Sequence, residues 1–177
     1  MSSSPADPLI TARLRLLPCD AAVARAAVEA PERLPELLGL PVDPAWPSED
    51  LLEVLPAWAE ALELDARLQR WGLFLVIERE SGALVGDVGF KGAPDERGIV
   101  EIGYGIVPSR QGRGFATEAV AALIAWARLH PEAREIRAAC YASNRASRRV
   151  LEKCGFRHFA TDGSVLDWSL PLRRSRP

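Results

Sequence analysis

Residues 107–118 read VPSRQGRGFATE, which is a strand end, a glycine-rich turn and a helix start in direct succession. Gly112 and Gly114 let the backbone turn without a Cβ clash, so successive N–H groups can point into one concavity at the positive end of the helix dipole. Arg110 and Arg113 add positive charge beside it. The stretch therefore predicts a phosphate-binding turn that leads into a helix.

Two common nucleotide-binding patterns are missing from this stretch. A Walker A loop requires Gly-Lys-Ser/Thr, and a dinucleotide fingerprint requires GxGxxG after the first strand of a βαβ unit. Residues 111–116, QGRGFA, satisfy neither pattern. Taken alone, the stretch also allows a glycine-rich turn that only connects a strand to a helix.

The elements around the turn alternate between strand and helix patterns. A helix is predicted over residues 115–129 because apolar side chains recur there at i, i+3 and i+4. Strands are predicted over 10–17, 71–78, 84–90, 100–107, 136–142, 156–159 and 165–172, and further helices over 20–30, 48–69 and 144–154. This order predicts a mixed α/β fold in a single domain over residues 9–172, between a disordered terminus at 1–8 and a basic tail at 173–177.

Residues 31–70 have a different texture, with six prolines that break the segment into a small helix, a loop and a longer helix. Nine acidic residues and one basic residue lie within 31–65, whereas ten basic and four acidic residues lie within 107–157. The acidic segment is interpreted either as a solvated helix face or as a wall that attracts a cation.

The composition excludes several classes of protein. The chain has 177 residues, of which 48% are hydrophobic and 26% charged, as in one ordinary globular domain. A net charge of −2 argues against sequence-blind binding to nucleic acid, and no apolar run is long enough to predict a membrane anchor or export signal. Cys19, Cys140 and Cys154 have the spacing of neither a disulfide framework nor a zinc site. We therefore expect a cytoplasmic protein with no metal, nucleic acid or membrane partner.

Several motifs taken together resemble the GNAT superfamily of acetyl-CoA-dependent N-acetyltransferases. The family's pyrophosphate loop, Gln/Arg-x-x-Gly-x-Gly/Ala, corresponds to Gln111-x-x-Gly114-x-Ala116. The resemblance continues in GDVGF at 86–90, EIGYGI at 101–106, SNRAS at 143–147 and EKCGF at 152–156. The opening TARLRL at 11–16 resembles the branch that contains ribosomal-protein N-terminal acetyltransferases. Only the segment at 31–70 is unmatched.

The resemblance implies the GNAT fold, a central, mostly antiparallel twisted sheet of about seven strands, splayed at the cofactor site and flanked by helices. It implies acetyl-CoA as co-substrate, with its pyrophosphate on the loop. The implied loop contacts are Gln111, Gly112, Arg113, Gly114, Phe115, Ala116 and Thr117, mainly through their backbone amides.

The resemblance also implies contacts with the pantetheine arm. Tyr104 and Ile106 would pair with the arm along the splayed strand, and the Ile106 amide would lie near the thioester carbonyl, where it can stabilise an oxyanion. Asn144 would lie near the same arm, or would serve only as a helix cap.

Acetyl transfer needs a base for the amine and an acid for the departing thiolate. Most GNAT enzymes place a tyrosine seven residues after the asparagine, but this chain has Leu151 there, which cannot donate a proton. Ser147 matches the position used in the ribosomal branch and is the candidate acid, with Tyr141 as the second choice. Glu101 is the candidate for water-mediated deprotonation of the amine, or else a structural carboxylate.

The sequence thus predicts direct transfer of an acetyl group from acetyl-CoA to a primary amine in a ternary complex, by a monomer or homodimer. The acceptor is left open between a protein N-terminus and a small amine, such as an amino acid or an antibiotic-like compound, and the 31–70 flap would border its site. A non-catalytic acyl-CoA-binding module is a third alternative, which Leu151 favours. A covalent route through Cys154 is disfavoured because this cysteine lies on the apolar side of its helix.

Overall fold

The computed structural model describes residues 7–172, so the predicted tail at 173–177 and most of the predicted terminus at 1–8 lie outside the described residues. The strands are β1 (Leu9–Ile10), β2 (Leu14–Pro18), β3 (Leu73–Glu78), β4 (Leu84–Phe90), β5 (Ile99–Ile106), β6 (Glu135–Tyr141), β7 (Arg157–Asp162) and β8 (Val165–Pro171). The helices are α1 (Ala21–Glu29), α2 (Leu34–Leu38), α3 (Glu49–Leu64), α4 (Phe115–Arg128) and α5 (Arg145–Lys153). Short 3₁₀ turns occupy Pro31–Arg33, Ala66–Trp71 and Pro108–Arg110.

All eight described strands form one sheet in the order β1-β2-β3-β4-β5-β6-β8-β7. Every neighbouring pair is antiparallel except β5 and β6, which run parallel. The predicted mixed α/β architecture with a mostly antiparallel sheet is therefore confirmed. The count exceeds the expected seven because the two-residue β1 adds an edge strand.

The predicted strand over 10–17 is wrong in one respect, because it breaks into β1 and β2 at a tight turn. The Thr11 backbone N–H donates to the Leu14 carbonyl at 2.9 Å, and the Thr11 hydroxyl accepts from the Leu14 amide at 2.9 Å. The same hydroxyl donates to Glu118 of α4 at 2.6 Å. The alternating pattern of residues 10–17 could not predict this break, because Glu118, which accepts from the Thr11 hydroxyl, lies 107 residues further along the chain.

Helix α4 covers one face of the sheet with the predicted apolar stripe. Its buried residues are Phe115, Ala119, Val120, Leu123, Ile124 and Ala127. The buried stripe begins at Phe115, whereas the adjacent Ala116 is only half-buried. The N-terminus of α4 is thereby held against the sheet at the end of the glycine-rich turn.

The flap at 31–70 lies against β4 at the point where β5 stops. The Leu84 amide donates to the Pro41 carbonyl at 2.8 Å, and the Asp43 amide donates to the Leu84 carbonyl at 3.1 Å. The helix predicted over 48–69 ends at Leu64, because Asp65 accepts from the Arg67 amide and starts a separate 3₁₀ turn. That turn includes Trp71, so β3 begins two residues later than predicted.

The C-terminal elements agree with the sequence except at β7. Asn144 caps α5 by accepting from the Ser147 amide at 3.0 Å, and Gly155 follows the helix with φ of 88°. Strand β7 extends to Asp162, beyond the predicted end at residue 159, because a hairpin through Gly163 pairs it with β8. Its polar, mostly exposed residues lack the alternation that predicts a strand.

Candidate active site

Strands β5 and β6 pair only at the beginning of β5 and then diverge. Residues 99–101 pair with β6, whereas residues 102–106 pair only with β4, which confirms the predicted splay. The Val107 amide donates to Val85 and the Lys91 amide to the Glu101 carbonyl, so odd-numbered residues of this strand hydrogen-bond to β4. The even-numbered residues, Tyr104 and Ile106 among them, therefore point their N–H groups into the gap.

The far end of the gap is closed by Gln111. Its side-chain amide donates to the Ile106 carbonyl at 2.9 Å, a group that would otherwise face the gap unpaired. Gln111 was predicted as a loop contact to the co-substrate. The structure places its side chain on the end of β5, where it fixes the strand relative to the loop, and the contact of its backbone with the co-substrate stays a prediction.

The start of α4 lacks the side-chain cap that the other long helices have. Asp20, Ser48 and Asn144 cap α1, α3 and α5 with side-chain oxygens, whereas α4 begins at Gly114 with no side-chain hydrogen bond. Its first amides, including those of Phe115, Ala116 and Thr117, are therefore available to an anion.

The backbone of the turn has the conformation that the two glycines were expected to allow. Gly112 and Gly114 have φ of 74° and 81°, in the left-handed region that favours glycine. A Cβ added at Gly112 would have no atom within 4 Å, so the concavity beside it is open. The uncapped amides and this open turn fit the pyrophosphate of a coenzyme A thioester.

The loop arginines lie on a buried carboxylate and are not free surface charges. Glu78, at the end of β3, is 3% exposed. Its two oxygens form ion pairs with Arg110 Nε at 3.2 Å and Arg113 Nη2 at 3.0 Å, and one of them accepts from the Ser81 hydroxyl at 2.7 Å. The positive charge that Arg110 and Arg113 add beside the turn is therefore partly offset by Glu78. The pairs tie the loop to the β3–β4 hairpin.

A second link joins the loop to the start of β2. Arg13 Nε donates to Glu118 at 2.7 Å, and Arg13 Nη1 donates to the Arg113 carbonyl at 2.8 Å. Partial burial alone would raise the pKa of Glu118, but hydrogen bonds from Thr11 and Arg13 hold it below its ordinary value. The guanidinium groups of Arg13 and Arg113 also stack on the buried Phe115 ring, 4.8 Å and 4.9 Å from its centroid.

We expect Glu78 and Arg113 to be energetically coupled. Arg113→Ala should lower the free energy of unfolding because it leaves the buried Glu78 carboxylate with fewer cations, and the loss should be smaller when Glu78 is Gln. Urea unfolding of the two single variants and the double variant should give a coupling of about 0.5–3 kcal/mol, as contacting residues show. Arg97→Ala, which removes an exposed arginine side chain with no ion pair in the described structure, is the matched control. Additive single effects would contradict the coupling.

A pair of hydroxyl groups lies on the α5 side of the splayed strand. The Tyr104 hydroxyl is 2.8 Å from Ser147 Oγ and donates to the Ser147 carbonyl at 3.2 Å. Burial raises the pKa of Tyr104 to about 12, so the phenol keeps its proton at neutral pH. The sequence predicted Tyr104 only for its backbone. Side chains alternate between the two faces of a strand, so Tyr104 and Glu101 point to opposite faces of β5. This alternation was the sequence feature that could have indicated a Tyr104 side chain directed toward α5, the helix that carries Ser147.

The second-choice acid, Tyr141, makes no hydrogen bond to this pair, and neither does Cys154, the disfavoured nucleophile. Tyr141 is 63% exposed, and its hydroxyl makes no hydrogen bond within residues 7–172. Leu151 is fully buried in the core, as its side chain requires. Cys154 is half-buried against the Thr117 carbonyl, and burial raises the pKa of its thiol, which disfavours the nucleophilic thiolate.

The opposite face of β5 has no side chains beyond Glu101 within the strand. Glu101 lies on this face with its carboxylate in an ion pair with Lys91 Nζ, and the next two residues on the face are Gly103 and Gly105. A cavity of about 310 Å³ continues from Glu101 across β6 and β8. The cavity is lined by Glu101, Arg137, Ala138, Ala139, Phe159, Asp167 and Trp168.

Residues 13–157 match the sequence profile of a family described as "Acetyltransferase (GNAT) domain". The chain belongs to the GNAT acetyltransferase family. It is 32% identical to the uncharacterized N-acetyltransferase YjdG of Bacillus subtilis over 148 residues, which cover 84% of this chain and 88% of YjdG. A second B. subtilis relative, the uncharacterized N-acetyltransferase YoaA, is 31% identical over 61% of this chain and 59% of its own length.

Solved GNAT structures share the fold at low sequence identity. The ribosomal-protein-S5-alanine acetyltransferase of Vibrio fischeri superposes with a TM-score of 0.68 at 18% identity and covers 97% of this chain and 100% of its own. The ribosomal L7/L12 α-N-protein acetyltransferase RimL, solved with coenzyme A, gives 0.67 at 17% identity over 93% of this chain and 98% of its own. Family membership makes this GNAT chain an acetyl-CoA-dependent N-acetyltransferase.

Within residues 7–172, no helix has the length and apolar character needed to cross a membrane. The same residues contain no group of three or more His, Cys, Asp or Glu side chains arranged to hold a metal ion. His130 packs on Trp126, and His158 lies 2.9 Å from the Thr161 hydroxyl, so neither histidine contacts a candidate catalytic group.

Proposed function

We propose that this GNAT enzyme acetylates the α-amino group of a protein or peptide N-terminus. The observation that carries the proposal is the open face beyond β5, where Ala139 and the 52% exposed Phe159 line a shallow cavity that no described helix covers. An extended chain end can lie along such a face, whereas a small amine is usually enclosed. The fold shared with ribosomal-protein N-terminal acetyltransferases agrees with this proposal.

The co-substrate would bind at the start of α4 and in the gap between β5 and β6. The uncapped amides at the start of α4 would bind its pyrophosphate, and the gap-facing amides of Tyr104 and Ile106 would bind the pantetheine arm. Acetyl-CoA supplies an activated acyl group as a thioester. The Ile106 amide would donate a hydrogen bond to the carbonyl oxygen, where negative charge develops during attack.

The Tyr104–Ser147 pair would supply the proton that the departing sulfur needs. Because Tyr104 remains protonated at neutral pH, it can pass a proton to Ser147 as the Ser147 hydroxyl gives up its own. Asn144 would contribute by fixing the first turn of α5. This assignment keeps Ser147 as the proposed acid and adds Tyr104 as its positioning and relay partner.

Glu101 would meet the arriving amine at the entrance of the open face. Its carboxylate is half-exposed and paired with Lys91, which competes with an ammonium group for it. We propose that Glu101 attracts the acceptor to this entrance; the sequence also suggested that it accepts a proton through water. Glu101→Gln tests that role through the acidic limb of the pH–rate profile.

An acceptor screen tests the proposed function. The enzyme is assayed for thiol release from acetyl-CoA with a set of short peptides, the same peptides with formylated N-termini, free amino acids, polyamines and aminoglycosides. We expect turnover of the free-amine peptides, loss of turnover on formylation, and a kcat/KM for the peptides above that for the matching free amino acids. Faster turnover of any small amine than of every peptide would contradict the N-terminal acceptor, and turnover of no amine would favour a binding module.

The acidic flap provides a prediction about how the acceptor reaches the enzyme. Glu49, Asp50 and Glu53 are exposed on α3, and neutralising all three should raise KM for a cationic acceptor by roughly threefold at low salt and much less at high salt. The same measurement is made on a variant in which Glu60 and Glu63 are both neutralised, although Arg25 already pairs with Glu63 at 2.7 Å.

The matched control for the flap variants changes the same net charge elsewhere on the surface. Glu80, Glu96 and Glu132 are exposed and have no ion pair within the described residues. Their replacement by Gln should leave KM for the amine unchanged. If the flap variants match this control at every ionic strength, the flap acids serve only to solvate α3.

A further inference from the structure

Asp87 on β4 is a buried carboxyl group for which the fold provides no cation. It is 7% exposed, and its Oδ2 accepts from the Trp46 indole N–H at 3.0 Å, while no ion pair among the described residues includes it. Glu78, the other buried carboxylate, has two arginines and a serine. Burying an unpaired carboxylate costs free energy, so the bond to Trp46 does not by itself explain why a carboxyl group is buried at position 87.

The position of Asp87 beside β5 offers a functional explanation for its burial. It is in register with Gly105 of β5, and a Cβ added at Gly105 would lie 3.6 Å from Oδ2 and 3.7 Å from Oδ1. The carboxyl group therefore lies over Gly105 on the same face of β5 as Glu101, one residue from the gap-facing Ile106 amide. Glu101 is four residues from Gly105, or about 13 Å along an extended strand.

We infer that Asp87 is the carboxylate that binds the acceptor amine beside the reacting carbonyl and accepts its proton, while Glu101 acts at the entrance. The inference rests on the proposed acetyl transfer to an amine. Gly103 and Gly105 have no side chains, which would leave room along β5 for an amine to pass from Glu101 to Asp87. Trp46, which is 4% exposed, would form the wall that keeps bulk water from this end.

The proton balance of the step is closed by groups already described. The ammonium form of the acceptor gives one proton to the Asp87 carboxylate, and the freed lone pair forms the C–N bond as the C–S bond breaks. The sulfur takes a proton from Ser147, Tyr104 passes its own proton to Ser147, and the second proton of the nitrogen restores the Tyr104 hydroxyl through water. Asp87 then returns its proton to solvent, so one proton is released for each amide formed.

The surroundings of Asp87 suit a proton acceptor that works near neutrality. Burial raises the pKa of Asp87 to about 7, and the hydrogen bond from Trp46 acts in the opposite direction. The titratable group that interacts with it is the Cys19 thiol, directly after β2, whose pKa is raised by burial and further by the neighbouring Asp20 and Asp87 charges. On β5 its neighbours are glycines, and on the flap Trp46, so no cation of the described residues offsets its charge.

Kinetics with the best amine from the screen provide the first test. Asp87→Asn keeps an acceptor for Trp46 but removes the base, and should lower kcat/KM by about 100-fold with the calorimetric Kd for CoA unchanged. Trp46→Phe removes the donor that favours the ionised carboxylate, and should move the acidic limb of the pH profile upward by roughly 0.5–1 pH unit. Glu101→Gln should leave that limb in place.

A spectroscopic titration provides a test that needs neither acetyl-CoA nor turnover. In protein labelled with ¹³C at the aspartate carboxyl carbon, the resonance absent from Asp87→Asn should titrate near pH 7 and shift upward in Trp46→Phe. An amine peptide should perturb it, and the formylated peptide should not.

Three results would overturn the role of Asp87: an Asp87→Asn variant with wild-type kcat/KM, an acidic limb that is lost in Glu101→Gln but kept in Asp87→Asn, or a carboxyl titration near the ordinary value of about 4. These outcomes are distinct from failure of the proposed function. Wild-type enzyme that acetylates only small amines would overturn the N-terminal acceptor while the Asp87 tests proceed with the small amine.

Discussion

Gly114→Val is expected to raise the Kd for CoA by about 10- to 100-fold, since holding a β-branched residue at a left-handed φ costs roughly 1–3 kcal/mol and displaces the amides around it. Gly114 has φ of 81° and begins α4, so any change there moves the uncapped amides proposed to bind the pyrophosphate. An added Cβ would also lie 3.5 Å from the Arg13 guanidinium that holds the loop carbonyl. Isothermal titration calorimetry with CoA measures the effect.

The matched control for this variant is Gly163→Val. Gly163 has φ of 56° in the β7–β8 hairpin, and a Cβ there would meet no atom within 4 Å. The two variants should therefore lose similar thermal stability from backbone strain, while only Gly114→Val loses CoA. If both bind CoA like the wild type, the turn at 111–116 is a connection and not the pyrophosphate site.

Ser147→Ala is expected to lower kcat by roughly 100-fold or more, because general-acid groups typically contribute 10²–10⁴-fold. The Kd for CoA should change little, since the Asn144 cap uses the backbone amide of residue 147, which alanine retains. Tyr104→Phe should lower kcat by about tenfold, because it removes the 2.8 Å partner that hydrogen-bonds to the serine hydroxyl. Steady-state kinetics with varied acetyl-CoA separate kcat from KM.

A double variant distinguishes a shared proton path from two separate effects. If the hydroxyls act in sequence, Ser147→Ala with Tyr104→Phe should be hardly slower than Ser147→Ala alone. Tyr141→Phe is the control, because Tyr141 is exposed at the end of β6 and its hydroxyl has no partner in the described part of the chain. A larger loss in Tyr141→Phe than in Ser147→Ala would transfer the acid role to Tyr141.

The sequence by itself determined the parts of this GNAT fold that depend on near neighbours. The apolar stripe of α4, the Asn144 cap and the two left-handed glycines at 112 and 114 were all predictable, because each follows from periodicity or backbone freedom over a few residues. The family motifs further predicted the splay of β5 from β6, which the strand pairing confirms.

Only the tertiary structure decided which side chains meet. The Tyr104–Ser147 pair joins residues 43 positions apart, and the Trp46–Asp87 bond joins residues 41 apart. Such contacts depend on strand register and on where the flap lands, which no local pattern contains. For the same reason no local pattern shows that Arg110 and Arg113 pair with the buried Glu78. The chemistry of a side chain follows from its residue type, whereas the partner that it contacts depends on the topology of the fold.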